Sequence, residues 1–437
     1  MPNSSPDVQL NTLKGPDEPE SPQSSGLHWP SAWQLGLSLL AVLFLWGIAG
    51  VSLIVAMNSG FNPPQDAPGG TPTSPLLIAA GAALAGALML PSVGYAFLRL
   101  SGRPRGALLR PRQRFWLSLI LLFTFPIVIV LGNWVANRVE YPQLILPLLH
   151  VLGVGIPVYL LLRLGQRGLP EESPQKTWGI FGSGLVLGPA LSLATEFFAV
   201  VGFGLLGLLY LSSRPELADA IMSLVGWLAY APTPESAIRI LSTFFLRPEV
   251  LYVVLIFGAV VVPLIEEIFK PIGVWLLARR GLSPSQGFAA GLLSGAGYAL
   301  FENLALSIAV GQDWAAVVIA RMGTSLMHML TSALLGWALT LAWKEGRYTR
   351  LGVSYLLAVV IHAMWNGLVL VSVFHQAAPE QAAFPMWVSQ IGSVAPLGLI
   401  TLIGGGFVLF VGMNTSLRRA IISPESPNAP KSVTPDR

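Results

Sequence analysis

Apolar residues fall in long blocks along this chain, separated by short stretches rich in polar residues, arginine or proline. The blocks lie near 33–57, 75–100, 115–135, 143–164, 178–211, 250–278, 286–309, 317–343, 351–374 and 389–414. A helix needs roughly 20 apolar residues to cross a bilayer. The pattern therefore predicts an all-α, polytopic transmembrane bundle of about ten spans. The block at 178–211 is long for one tilted helix, so its ends are the least defined. "LADAIMSLVGWLAYA" is apolar but short, which suits an interfacial or re-entrant helix. "ESAIRILSTFFL" reads as a short amphipathic helix on the outer surface.

These blocks divide the chain. Residues 1–32 form a polar tail rich in Pro and Ser, expected to be disordered. Residues 33–212 carry five spans, the first expected to remain uncleaved. Residues 213–249 form an outer loop with interfacial helices, residues 250–414 five further spans, and residues 415–437 a second disordered tail. No repeat of the kind that builds transporters is visible.

Charge fixes the expected orientation. Six arginines lie between Arg99 and Arg114, and Arg163, Arg167 and Lys176 follow the fourth span. Arg279 and Arg280 follow the sixth, Lys344, Arg347 and Arg350 the eighth, and Arg418 and Arg419 the tenth. The alternate loops hold only Arg138, Arg214, Arg239 and Arg247. By the positive-inside rule both termini are expected in the cytoplasm. The formal charge of +4 thus reports topology, and no nucleic-acid partner is expected. A charged content of 11% and a mean hydropathy of +0.66 point away from a soluble domain. The absence of cysteine excludes disulfides, thiol catalysis and cysteine-ligated metals. Trp29, Trp33, Trp314 and Trp387, near span ends, read as interface anchors.

Four consecutive spans break the apolar pattern. "PLIEEIFKP" places Glu266, Glu267 and Lys270 in the sixth, and "YALFEN" places Tyr298, Glu302 and Asn303 in the seventh. The eighth has Arg321 and His328, and the ninth has His362 and Asn366 in "IHAMWN". An ionisable residue at a helix centre costs a few kcal/mol, so each marks a candidate functional site. At about 1.5 Å of rise per residue, Glu266, Glu302, His328 and His362 lie roughly 19, 24, 22 and 17 Å from the cytoplasmic ends of their spans. Four antiparallel helices thus bring polar groups to similar depth. Glu266 and Lys270, Tyr298 and Glu302, and His362 and Asn366 are all i,i+4 pairs on one face. Gly291 and Gly295 form a GxxxG that admits a close neighbour. Three glutamates against Lys270 and Arg321 leave a formal −1, which calls for a held proton, a charged histidine or a bound cation. His150 and Glu196 stand apart and read as structural.

The set of EExxK, an FxxxEN-like "YALFEN", the eighth-span histidine and HxxWN resembles the PrsW family of intramembrane proteases. The resemblance covers roughly residues 250–414. Phe301 directly precedes Glu302, and Tyr298 takes the aromatic place four residues before it. The more distant CAAX prenyl protease superfamily has a comparable glutamate pair, with a histidine where this chain has Glu302. The resemblance implies a hydrolase of a bacterial plasma membrane that cuts peptide bonds in or near the bilayer. Its partners would be membrane-anchored proteins, in some members anti-sigma factors, and the surrounding lipid.

On this reading Glu266, Glu267, His328, His362 and Asn366 are catalytic: a glutamate of the pair activates water, and the histidines and Asn366 stabilise the oxyanion. Lys270, Tyr298, Glu302, Asn303 and Arg321 support them. A divalent metal such as zinc, held through His328, His362 and Glu302, is one version, and a metal-free glutamate mechanism uses the same residues. A proton-coupled transporter, with the glutamates as relay, and a non-catalytic membrane scaffold are the alternatives from other classes.

Overall fold

A computed structural model describes residues 28–58, 75–103, 106–107, 109–230, 236, 248–278, 280–305, 313–377 and 385–422. The described residues form helices joined by short turns and contain no strand. In chain order the helices are α1 (Trp29–Asn58), α2 (Pro75–Leu100), α3 (Pro111–Arg138), α4 (Leu146–Gly165), α5 (Pro174–Gly182), α6 (Gly188–Ser212) and α7 (Pro215–Ala229). After them come α8 (Pro248–Ile256), α9 (Val262–Phe269), α10 (Ile272–Trp275), α11 (Pro284–Ala305), α12 (Trp314–Glu345), α13 (Tyr348–Ala377) and α14 (Met386–Ile422).

Two spans are each made of two helices joined by a π turn: Ser183–Leu187 links α5 to α6, and Phe257–Val261 links α8 to α9. Nine spans among the described residues are long and apolar enough to cross a membrane. The tenth expected span, α11, has the length, at about 33 Å for 22 residues. It is less apolar because it does not face lipid: 17 of its 22 residues are buried. The chain is thus a multi-pass helical membrane bundle of about ten spans.

α11 is the axis of the molecule. It lies along α12 on one side and against the α5–α6 π turn on another, with α4 and α2 closing the rest. Glycine makes both approaches possible. A Cβ on Gly291 would strike the Ser332 carbonyl of α12, and one on Gly297 would strike the Phe181 carbonyl of α5. The backbones therefore touch where any side chain would hold them apart. Phe288, Leu292, Ala296, Met329, Leu330 and Ala333 fill the core between them.

Around this axis, α9 packs against α6 and α13, and α14 lies on α13 and α12. α1 and α2 form a closely packed pair at the edge. The Asn414 amide of α14 donates to the carbonyls of Gly165 (2.7 Å) and Arg167 (3.2 Å), satisfying the open end of α4.

Several expectations need correction. α14 continues to Ile422, past the tail boundary placed at 415, because Arg418 lies across Gly168 beside the end of α4. α1 begins at Trp29, inside the stretch read as a tail, where Ser31 accepts a hydrogen bond from Gln175 at 2.6 Å. Trp314 is not an interface anchor: it is 1% exposed, packed against Gly132 of α3 and edge-on to His150 of α4. The short helix expected in "LADAIMSLVGWLAYA" needs no correction: residues 217–229 lie in α7, a helix of 15 residues. Apart from residue 236, the segment "ESAIRILSTFFL" lies outside the described residues, as do residues 1–27 and 423–437.

Candidate active site

The chemistry gathers where α9 stops. Pro271 carries no N–H and cannot extend the helix, so α9 breaks after Phe269 and resumes as α10. The groups left open are taken up from outside. Ser294 of α11 donates to the Lys270 carbonyl (2.6 Å) and accepts from the Gly273 N–H (3.3 Å). The Trp275 indole donates to the Ile268 carbonyl at 3.0 Å. The break is therefore pinned to the central helix, and it fixes the three charges just before it.

Lys270 and Glu267 are both fully enclosed, at 0% exposure. The ammonium lies 2.7 Å from Glu267 Oε1 and 3.1 Å from Glu266 Oε2. It also sits 5.5 Å above the centre of the Tyr298 ring, a cation–π approach from α11. Buried charges persist only when paired, and here one lysine serves both carboxylates.

His362 of α13 joins this group. Its Nδ1 lies 3.0 Å from both Glu267 Oε1 and Lys270 Nζ, and its Nε2 is 3.8 Å from Glu266 Oε2. Two proton arrangements fit. Either Lys270 donates to Nδ1, or Nδ1–H donates to Glu267 and leaves the Nε2 lone pair directed at the Glu266 side.

α12 supplies His328, which is buried and stands edge-on to His362 with ring centres 5.5 Å apart. Its Nε2 is 2.5 Å from Glu302 Oε2, and Arg321 holds the other Glu302 oxygen at 3.0 Å. The Tyr298 ring packs 5.6 Å from His328. α9 with the turn after it, α11, α12 and α13 thus deliver eight ionisable side chains, Tyr298 included, to one cluster.

The structure groups Glu266, His328 and His362 as donors, with one ligand atom of each within 4.8 Å of the other two. This differs from the set expected from sequence, in which Glu302 completed the two histidines. Glu302 instead sits behind His328, joined to Arg321. Two imidazoles and a carboxylate are a common donor set for zinc that keeps a fourth position open. Tetrahedral zinc holds its donors about 3.4 Å apart, so the three atoms must draw in slightly around an ion. The supports also fit: Glu267 backs His362 and Glu302 backs His328, the arrangement that orients ligating imidazoles.

Asn366 and Asn303 lie at the margins. Asn366 donates to the Gly258 carbonyl (3.0 Å), inside the α8–α9 π turn. One of its two amide hydrogens is spent there, and an oxyanion role would use the other. Asn303 donates to Ser325 of α12 (2.8 Å), and its carbonyl meets His150 Nε2 at 3.4 Å, tying α4, α11 and α12 together behind the cluster.

One contributor was not singled out in the sequence: Ser294, since a serine in an apolar span is common helix glue and carries no distinguishing signal. Glu196 was read as standing apart and structural, and it is not isolated. α6 packs on α9, and Glu196 comes within electrostatic reach of Glu266, Lys270 and Glu302, with its Oε1 buried and unpartnered. A carboxylate in mid-span was itself the signal, but nothing in the sequence joined the fifth span to the sixth.

Glutamates, histidines and a lysine thus converge at a helix break inside a membrane-embedded bundle. Residues 196–392 match the family described as PrsW family intramembrane metalloprotease, and that stretch contains every residue of the cluster. Comparison with curated proteins and with solved structures gives no match. The family match supports an intramembrane protease acting on membrane proteins within a lipid bilayer.

Proposed function

We propose that this protein is an intramembrane endopeptidase of the metallo type, with Glu266, His328 and His362 as the residues that hold the ion. The observation that carries the reading is the convergence of these three donors, each buried or nearly so, from three different helices. A bound divalent metal would supply a water of lowered pKa and polarise the scissile carbonyl.

The chain's own residues divide the remaining work. Glu267 is enclosed and engaged by Lys270 and His362, so it is a positioning residue. By accepting from His362 Nδ1–H it presents Nε2 towards Glu266. Lys270 bridges the two carboxylates and balances their charge. Glu302 is partly exposed, at 20% against 13% for Glu266. It takes the proton of the attacking water on a carboxylate lone pair that His328 and Arg321 leave free, and returns it to the leaving amine. Arg321 holds Glu302 in place.

The arginine pattern supports a protein with both termini in the cytoplasm, and the resemblance to the PrsW family supports a bacterial plasma membrane. Its substrate is then a membrane-anchored protein, with an anti-sigma factor as the class to examine first.

The test compares protein N-termini in membranes of cells carrying the wild-type chain and cells carrying Glu266→Gln, at matched expression. Metal content of both purified proteins is measured in parallel. The expected result is new termini in or beside membrane spans with the wild type alone, and about one metal per chain that Glu266→Gln loses. Cleavage that survives complete removal of metal would overturn the metallo assignment. Identical termini in both membranes would overturn the protease.

A further inference from the structure

One cavity in the described structure stands apart from the carboxylates. It holds about 960 Å³ and lies between α1, α2, the α5–α6 span and α10. Its walls are mostly from residues outside the stretch that matches the protease family.

Three properties define what it can take. First, it is amphipathic. Arg99 at the end of α2, Lys176 at the start of α5 and Arg280 after α10 stand at one end, and no acidic side chain among the described residues lines it. Lys176 is paired with Glu172 at 3.1 Å, whereas Arg99 and Arg280 have no ion-pair partner among the described residues. Beyond this rim the walls turn apolar, through Phe44 of α1 to Ala190 of α6. Second, it has the depth of one leaflet. The α1 wall runs from Pro30 to Phe44, about 21 Å at 1.5 Å per residue. One leaflet's hydrocarbon is about 15 Å thick, and a spanning substrate helix would need about 30 Å. Third, the polar groups inside are already satisfied. Gln34 donates to Ser92 (3.0 Å) and to the Gln175 carbonyl (3.1 Å), and Ser38 bonds Ser92 (2.9 Å), so the interior asks for no further polar ligand.

We propose that this cavity is a binding site for an anionic phospholipid of the arginine-rich leaflet. The phosphate lies against Arg99 and Arg280, and an acyl chain runs between α1 and α6. Cationic pockets between spans on that side of a membrane are suited to lipid headgroups. The bound lipid would also brace the cluster's support, because Gly273, Leu276 and Leu277 in the cavity wall follow Lys270 and the Pro271 break directly. The binding claim does not depend on the protease reading.

Native mass spectrometry of the full chain, released from bilayers of equimolar phosphatidylglycerol and phosphatidylcholine, tests it. The wild type should retain phosphatidylglycerol over phosphatidylcholine by about 30-fold, the ratio expected of two cations near a headgroup. Arg99→Gln/Arg280→Gln should bring the ratio to about one, and Arg99→Lys/Arg280→Lys should keep it. Ala190→Trp, which fills the apolar end and leaves the rim intact, should remove the tightly held lipid. No preference in the wild type, or a preference unaltered by both the glutamine pair and Ala190→Trp, would overturn the proposal. So would a photo-crosslinker at Leu40 that captures polypeptide instead of lipid.

Discussion

α12 and α14 are both long helices, of 32 and 37 residues, and both could cross a bilayer. Of the most apolar 18 residues in each, 94% are buried in α12 and 11% in α14. The buried helix is the less apolar one. α12 carries Arg321, Thr324, Ser325, His328, Thr331 and Ser332 among its inward residues, while α14 turns Leu397, Ile400 and Val408 outward. In water the core collects the apolar residues; here lipid solvates them at the rim, and the interior is left for small and polar side chains. Between these two helices, lower hydropathy therefore goes with burial among other helices.

The largest effect should come from adding bulk on the two sides of that comparison. Gly291→Leu places a side chain into the Ser332 backbone of α12, whereas Gly405→Leu on α14 meets open space within 4 Å. The first should prevent accumulation of folded protein. The second should be neutral or slightly stabilising, by up to about 1 kcal/mol from helix propensity. Thermal unfolding in detergent, alongside expression level, separates them, and equal tolerance at both sites would refute the close α11–α12 contact.

Next comes a polar change within the buried cluster. Glu302→Gln should lower the cleavage rate about 100-fold or more through loss of the proton acceptor. Metal content should stay near the wild-type value, unlike that of Glu266→Gln. If Glu302 only positions His328, activity and metal affinity should fall together by about 10- to 100-fold.

The smallest effect is at the helix break. Ser294→Ala removes the hydroxyl that bridges Lys270 and Gly273, and should cost about 1–3 kcal/mol because a buried carbonyl loses its donor. Ser393→Ala, on the exposed face of α14, should lie within about 0.5 kcal/mol of wild type. A Ser294→Ala protein as stable as Ser393→Ala would show that the break holds itself.

The span count and the polar cluster were legible because each depends on short-range sequence: a run of about 20 apolar residues, or charges at i,i+3 and i,i+4. What was not legible depends on how distant spans meet. Glu266 and Glu302 differ in position around the histidines only through the crossings of α9 and α11 with α12. Glu196 counted as peripheral because depth was measured along the fifth span alone, without the packing of α6 on α9. Trp314 sat at a span end, as an anchor does, yet Gly132 and His150 enclose it. The cavity could not be read at all, since four separated segments line it.

Each π turn adds one residue to a helix without lengthening its connections, so the faces before and after it are out of step by about 100°. In the α8–α9 span this sets the lipid-facing residues before Phe257 on one register and Glu266 and Glu267 on another. Removing one residue between Phe257 and Val261 would restore a regular helix and rotate one half against the other. Relatives of this chain can then differ by a single-residue gap in the middle of a membrane span. An alignment that forbids gaps inside spans would misplace the glutamate pair by one position.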